Sequence, residues 1–253
     1  MTNLFSRRDY ALEEFARVRF IRETLEYARA SGIVFANSGG KDCALVGILC
    51  KKACENTISL VLPCGIKRSY NEDKEDALKL AEFFDIRTRV IDLKETFDTF
   101  TQALNPGLTK PAASNIAPRL RMQALYATAQ SEGRLVAGTG NRSEIFLGYF
   151  TKWGDGAYDL NPIADLTVTE VYEFLRFLKA PASIISKPPS AGLYEGQTDE
   201  GDLGFSYADL DRYLLSGDAT DENKEKFMRH HNATKHKRQY PHVFNFNLDD
   251  NKG

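Results

Sequence analysis

Gly32-Ile33-Val34-Phe35-Ala36-Asn37-Ser38-Gly39-Gly40-Lys41-Asp42-Cys43 is the stretch on which the fold of this chain turns. Ile33 to Ala36 is a short apolar run with β-branched residues, which predicts a buried strand. Ser38-Gly39-Gly40 is a turn that can take positive φ and bring backbone close to a ligand. From Asp42 the pattern becomes helical, with Ala44, Leu45, Ile48 and Leu49 on one face. A strand thus passes through a glycine turn into a helix whose first N–H groups have no partner in the helix. Such a corner suits an anion, phosphate above all, though an ordinary strand–turn–helix corner has the same outline.

The pattern repeats outward from this corner. Residues 7–30 carry Leu12, Phe15, Val18, Ile21 and Leu25 at three- and four-residue steps, an amphipathic helix. Thr57 to Leu62 predicts a second strand, stopped by Pro63. Ala77, Leu80, Ala81 and Phe84 mark a helix, and Thr88 to Ile91 a third strand. A polar loop around Asn105-Pro106-Gly107 leads to a helix from about Asn115 to Ser131, and Arg134 to Ala137 forms a fourth strand. Alternating strands and helices predict an α/β fold: a doubly wound, mostly parallel, Rossmann-like sheet with helices on both faces and ligands at the carboxyl ends of the strands. Beyond it, 148–162 has no periodicity, Val168 to Leu178 is helical, and 181–205 is a long irregular loop. Short helices are expected near 206–215 and 221–232, followed by a basic tail. No repeat or domain boundary is visible, so residues 1–253 read as one domain.

Composition narrows the function. A net charge of −2 and a pI near 6.1 leave no global footprint for nucleic acid or membrane. The N-terminus lacks an apolar signal region and no run is long enough to span a bilayer, so a cytoplasmic enzyme is expected. Cys43, Cys50 and Cys54 share one helical face. Cys50 and Cys54 have a permitted zinc spacing, but no second Cys or His pair accompanies them, which favours buried reduced thiols.

The first turn is not a Walker loop: Phe35 stands where that motif needs its first glycine, and Asp42 where it needs Ser or Thr. The second turn, Gly138-Thr139-Gly140-Asn141-Arg142-Ser143-Glu144, imitates a dinucleotide fingerprint with Ser143 in place of its third glycine. The strand expected before a ribose-binding acid such as Asp159 is absent. The better reading places Glu144 at a second strand's end beside Asp42. Magnesium commonly takes one or two carboxylates and completes its shell with phosphates and water. A plain helix-N-terminal acid is the other reading of Glu144.

Ser38-Gly39-Gly40-Lys41-Asp42 after a strand resembles the pyrophosphate loop of the N-type ATP pyrophosphatases. Gly140 to Glu144, Gly148-Tyr149-Phe150-Thr151-Lys152-Trp153-Gly154-Asp155-Gly156, Asp159 to Pro162, Lys187 to Leu193 and Glu195 to Glu200 resemble the ammonia-dependent NAD synthetases within that superfamily, in order and spacing from about Ile33 to Arg238. The resemblance implies an adenine nucleotide alpha hydrolase-like fold and a reaction in which deamido-NAD, ATP and ammonia give NAD, AMP and pyrophosphate. It also implies that Ser38, Gly39, Gly40 and Asp42, with neighbours Lys41 and Cys43, hold the pyrophosphate, while Asp42 and Glu144 hold magnesium. Thr139 and Ser190 become ATP contacts, and Arg119, Lys152, Asp159, His236 and Lys237 deamido-NAD contacts. It implies a homodimer as well.

Asp155 is a candidate to receive or deprotonate ammonium, with turn capping as its plainer role. The Pro- and Gly-rich stretch 187–205 is the natural lid over an adenylate. About thirty residues precede the first loop, too few for a fused glutaminase domain, so glutamine use would need a partner subunit. Two positions depart from the family pattern: Cys43 replaces a serine, and Val168 stands where an ATP-contacting lysine is typical. Lys67 or Arg68, ahead of Lys41, are the expected substitutes for that charge, Lys41 being read as pointing to solvent. Rival readings are another pyrophosphatase, such as a tRNA-thiolating enzyme, or a diverged nucleotide binder with little turnover. The first is disfavoured by the absence of Cys-x-x-Cys pairs and of a basic face.

Overall fold

The computed structural model describes residues 8–65, 70–104, 107–186 and 199–244. Four parallel strands form its sheet: β1 (Gly32–Ala36), β2 (Thr57–Val61), β3 (Arg87–Val90) and β4 (Arg134–Val136), in the order β3-β2-β1-β4. Each lies within two residues of its predicted position.

Helices cover both faces, and the side-chain alternation of the strands explains why. Ile33 and Phe35 face one layer, built from α1 (Tyr10–Ala28), α2 (Lys41–Ala53), α3 (Glu72–Phe83) and α8 (Val168–Phe177). Val34, paired with Ile58 and Val136, faces the other layer, where Met122, Leu125 and Ala129 of α6 (Ile116–Glu132) pack. Strands buried on both sides read as continuous apolar runs, which is how β1 reads. Two helices stand where the sequence suggested only a polar loop: α4 (Lys94–Ala103) and α5 (Lys110–Ser114), the latter capped by Thr109. Neither buries a residue, so no complete apolar face announced them.

After β4 come α7 (Arg142–Leu147), α8, α9 (Ala182–Ile185), α10 (Asp199–Leu203), α11 (Tyr207–Ser216) and α12 (Asp221–Ala233). The irregular stretch is therefore shorter than expected, since α10 occupies its end; residues 187–198, with Ser190 and most of the expected lid, lie outside the described residues. Leu147, Val168, Leu203, Phe205, Tyr207, Leu210 and Phe227 form a separate apolar cluster that joins these helices. Among the described residues no helix is long and apolar enough to cross a membrane.

The strand order sets the site. From β1 the chain builds outward to β2 and β3, then returns to add β4 on the other side of β1. In an open parallel sheet that reversal opens a crevice at the carboxyl ends, here between the exits of β1 and β4.

Candidate active site

The exit of β1 is held by its own side chains. Asn37 donates to the Ala77 carbonyl of α3 (2.9 Å) and accepts from Gly39 N–H (3.0 Å). Gly39 has φ +72°, and a Cβ there would lie 2.6 Å from Asp76 Cβ and 2.8 Å from Ala77 N, so only glycine fits. Gly40 is the N-cap of α2 and supplies no side-chain hydrogen bond, which leaves the helix's first N–H groups available to an anion. Cys43, buried, donates its thiol to the Gly40 carbonyl (3.0 Å) and lies 3.4 Å from Ser38 Oγ. Burial pushes that thiol above its ordinary pKa, so it braces the loop as a neutral group.

The exit of β4 mirrors this. Asn141 caps α7: its side chain accepts from Glu144 N–H (3.0 Å), and Glu144 accepts from Asn141 N–H (3.1 Å), a capping box. The remaining Asn141 amide donates to Asp42 Oδ1 (3.0 Å) and ties the two exits together. Glu144 is thus both the helix-capping acid and a wall of the crevice; the two readings of the sequence are not exclusive. Burial, reinforced by the Asp42 charge, pushes the Glu144 carboxyl well above its ordinary value, and Lys41 pulls against them.

Lys41 overturns the expectation that it points to solvent. It is 6% exposed, and its ammonium lies 2.6 Å from Asp42 Oδ2 and 5.9 Å from the Tyr172 ring centroid. Burial opposes its charge, but Asp42 and Glu144 attract it more strongly and hold the ammonium above its ordinary value. Lys67 and Arg68 lie outside the described residues. Val168, buried in the apolar cluster with its N–H donated to Ser143 Oγ (3.2 Å), stands away from solvent, and a lysine there would have to start from that cluster.

Asn37, Lys41, Asp42, Glu144 and Tyr172 line one cavity of about 420 Å³, together with Ser38, Gly40, Cys43, Thr139, Asp155, Asp199, Arg121 and Lys237. Asp155 accepts from Thr151 N–H (3.0 Å), so it caps the turn and also faces the cavity. Loss of hydration among the surrounding atoms raises its carboxyl above the ordinary value. Lys237 donates to the carbonyls of Gly148 (2.8 Å) and Phe150 (2.6 Å), and burial lowers its pKa. Lys152 and Arg119 stand outside the cavity lining: Lys152 donates to His236 O (2.9 Å) and Arg119 to Lys152 O (3.4 Å). Asp159 also stands outside, holding Val136 N–H (2.8 Å) and the Tyr126 hydroxyl (3.2 Å). His236 is exposed.

The two carboxylates suit magnesium better than a metal caged wholly by protein. Among the described residues no group of three or more His, Cys, Asp or Glu is placed to hold an ion. Magnesium needs only one or two carboxylates where phosphates and water complete its octahedron.

The NAD synthase family model matches residues 14–243. The chain belongs to the NAD synthase family. A relative from Carboxydothermus hydrogenoformans, named NH(3)-dependent NAD(+) synthetase, is 46% identical over 231 residues, 89% of this chain and 94% of its own. An NH3-dependent NAD synthetase structure from Campylobacter jejuni, in complex with the nitrate ion, superposes with a TM-score of 0.80 at 28% identity, covering 94% of this chain and all of that one. An NMN synthetase structure from Francisella tularensis superposes with a TM-score of 0.88 at 33% identity, covering 94% and 100%.

For an NAD synthase, three cavity groups went unassigned from the sequence. Asp199, 3% exposed, accepts from the Tyr207 hydroxyl (3.3 Å), and burial with the nearby carboxylates pushes Tyr207 up. Arg121 donates to the carbonyls of Leu62 (3.0 Å) and Cys64 (3.1 Å) at the exit of β2, and burial pulls its pKa down. Tyr172 lies under Lys41. Position alone marks these residues; only the Arg119–Leu120–Arg121 spacing carried a sign, since helix residues two apart face different ways.

Proposed function

We propose that this chain is an ammonia-dependent NAD synthetase, a ligase that uses ATP to amidate deamido-NAD. The observation that supports it best is the pairing of Asp42 and Glu144 at adjacent strand exits beside the uncapped N-terminus of α2. Attack of a carboxylate on the α-phosphate of ATP brings anion to anion, so the site must neutralise both. The N–H groups of Gly40 and the first turn of α2, with Ser38 and Lys41, hold the pyrophosphate, and Gly39 supplies the turn that exposes them. Asp42 and Glu144 would hold magnesium, which when bound supplies positive charge to the phosphate oxygens. Thr139 and Ser190 are assigned to ATP.

Arg119, Lys152, Asp159, His236 and Lys237 are assigned to deamido-NAD, Lys237 from within the cavity and the others from outside its lining. The carboxylate oxygen bonds to the α-phosphorus as pyrophosphate leaves. Ammonia then attacks the acyl carbon, AMP departs with its phosphate oxygen, and Asp155 takes the proton surplus of the incoming nitrogen. Burial raises its carboxyl above the ordinary value, which makes it a stronger base than an exposed aspartate. A homodimer in the cytoplasm, acting as one catalytic domain without nucleic acid or membrane, completes this reading.

A second reading concerns the substrate. The likeness to the Francisella NMN synthetase supports amidation of the mononucleotide acid, which offers the same nicotinate carboxylate without the adenylate half. One assay separates the readings. Purified protein receives ATP, magnesium and ammonium with either deamido-NAD or nicotinate mononucleotide, and amide product is quantified. A higher kcat/KM for deamido-NAD is expected; a reversed ratio establishes the second reading, and no amide from either acid refutes both. Glutamine in place of ammonium is expected to give no product.

A further inference from the structure

We infer that Lys41 is an internal counter-ion: it neutralises Asp42 and Glu144 before metal binds, then yields Asp42 to magnesium and moves its ammonium onto the phosphates of ATP. This rests on the assignment of Asp42 and Glu144 as the metal carboxylates.

Lys41 breaks a local rule. It is the first residue of α2, at the positive end of the helix dipole, where acids are favoured and cations are not. It is also buried, and a buried ammonium is tolerated only when paired. The partners that compensate it are the two crevice acids, so its place is set by the site and not by the helix.

The hydrogen bonds show which contact must give way. Asp42 Oδ2 accepts from Lys41 (2.6 Å) and Asp42 Oδ1 from Asn141 (3.0 Å), so a metal reaching Asp42 meets a neutral amide at one oxygen and, at the other, an ammonium whose charge repels it. Asn141 is fully buried and locked by its capping box with Glu144. Lys41 has a four-carbon stem with rotatable bonds and can leave. Its backbone stands in the anion-binding turn beside Ser38 and Gly40, so the released ammonium stays within reach of a bound phosphate. Val168, buried among Leu147, Tyr207 and Phe227, supplies no such charge.

The test is titration of nucleotide-free protein with magnesium chloride by calorimetry, together with the KM for ATP, in wild type, Asp42→Asn, Lys41→Met and Lys41→Arg. Lys41→Met keeps the stem and removes the charge. It is expected to bind magnesium at least about fivefold more tightly without nucleotide and to raise the KM for ATP at least about tenfold. Lys41→Arg, with its charge kept, is expected to hold magnesium affinity near wild type. Opposite movement of the two constants is the signature, because a merely structural lysine would weaken both and a simple phosphate ligand would alter only the second. Magnesium affinity unchanged or lowered in Lys41→Met overturns the counter-ion role. No magnesium binding in wild type or Lys41→Met, or binding undiminished in Asp42→Asn, overturns the metal assignment itself. Should Lys41→Met fail to fold, Lys41→Gln carries the same expectation.

Discussion

Asp42 and Glu144 are like charges held close by structure, an arrangement that Lys41 offsets. Burial first, and the Asp42 charge after it, raise the Glu144 carboxyl. Asp42→Asn and Glu144→Gln should each lower kcat by roughly 10³-fold or more, since either removes a carboxylate that would hold the metal neutralising the departing pyrophosphate. Either variant retaining more than about a tenth of wild-type kcat at saturating magnesium removes the shared-metal assignment. Asp155 permits a pH test. An acid raised in the folded state binds more protons there than in the unfolded chain, so stability falls as pH rises from the ordinary carboxylate value through the raised one. Asp155→Asn relieves that penalty and keeps an acceptor for Thr151 N–H. Its melting temperature should exceed that of wild type by a margin that widens as pH rises above about 4, the ordinary carboxylate value. A margin independent of pH, followed by scanning fluorimetry across that range, refutes the assignment.

Among the elements, the seam between α7, α8 and α11 is the most exposed to a single change. Asp211 of α11 is buried and accepts from Ser143 Oγ of α7 (2.5 Å) and from Thr169 N–H in the first turn of α8 (2.7 Å). Ser143 in turn accepts from Val168 N–H, so one carboxylate anchors two helix starts. Burial raises its pKa against those donors. Asp211→Ala leaves buried donors unmet and should destabilise by about 1–3 kcal/mol. At roughly 2–4 °C per kcal/mol for a chain of this size, thermal unfolding resolves the loss, and Asp211→Asn should recover part of it. An alanine variant as stable as wild type would mean that water replaces the carboxylate. The seam also explains why Val168 is apolar: it packs where three helices meet.

Across the molecule, the cavity is closed by a segment more than eighty residues away in sequence. Thr234 donates to Leu147 O (2.8 Å), and Lys237 donates to Gly148 and Phe150 carbonyls, docking the basic tail on the end of α7. Gly148 makes this possible: its φ is +65°, and a Cβ would lie 2.3 Å from Thr234. Gly148→Ala should destabilise by about 1–3 kcal/mol and raise the KM for deamido-NAD through displacement of Lys237. Thr234→Gly in the same chain should restore part of the stability by removing the clash, though not the backbone strain. Additive losses in the double mutant would separate the tail from the glycine.

The sequence by itself determined the α/β fold, the parallel sheet and both glycine turns, because these follow from local periodicity and from turn chemistry confined to a few neighbouring residues. It misjudged Lys41, whose helix-start position suggested solvent, since burial depends on what the exit of β4 places opposite. Arg121 and Tyr172 were legible only as members of their helices and Asp199 only as part of the irregular loop, and α4 and α5 left too little buried surface to mark a face. Tertiary structure alone decided which charges meet: strand order put β4 beside β1, and that adjacency turned two distant acids and one lysine into a single electrostatic unit.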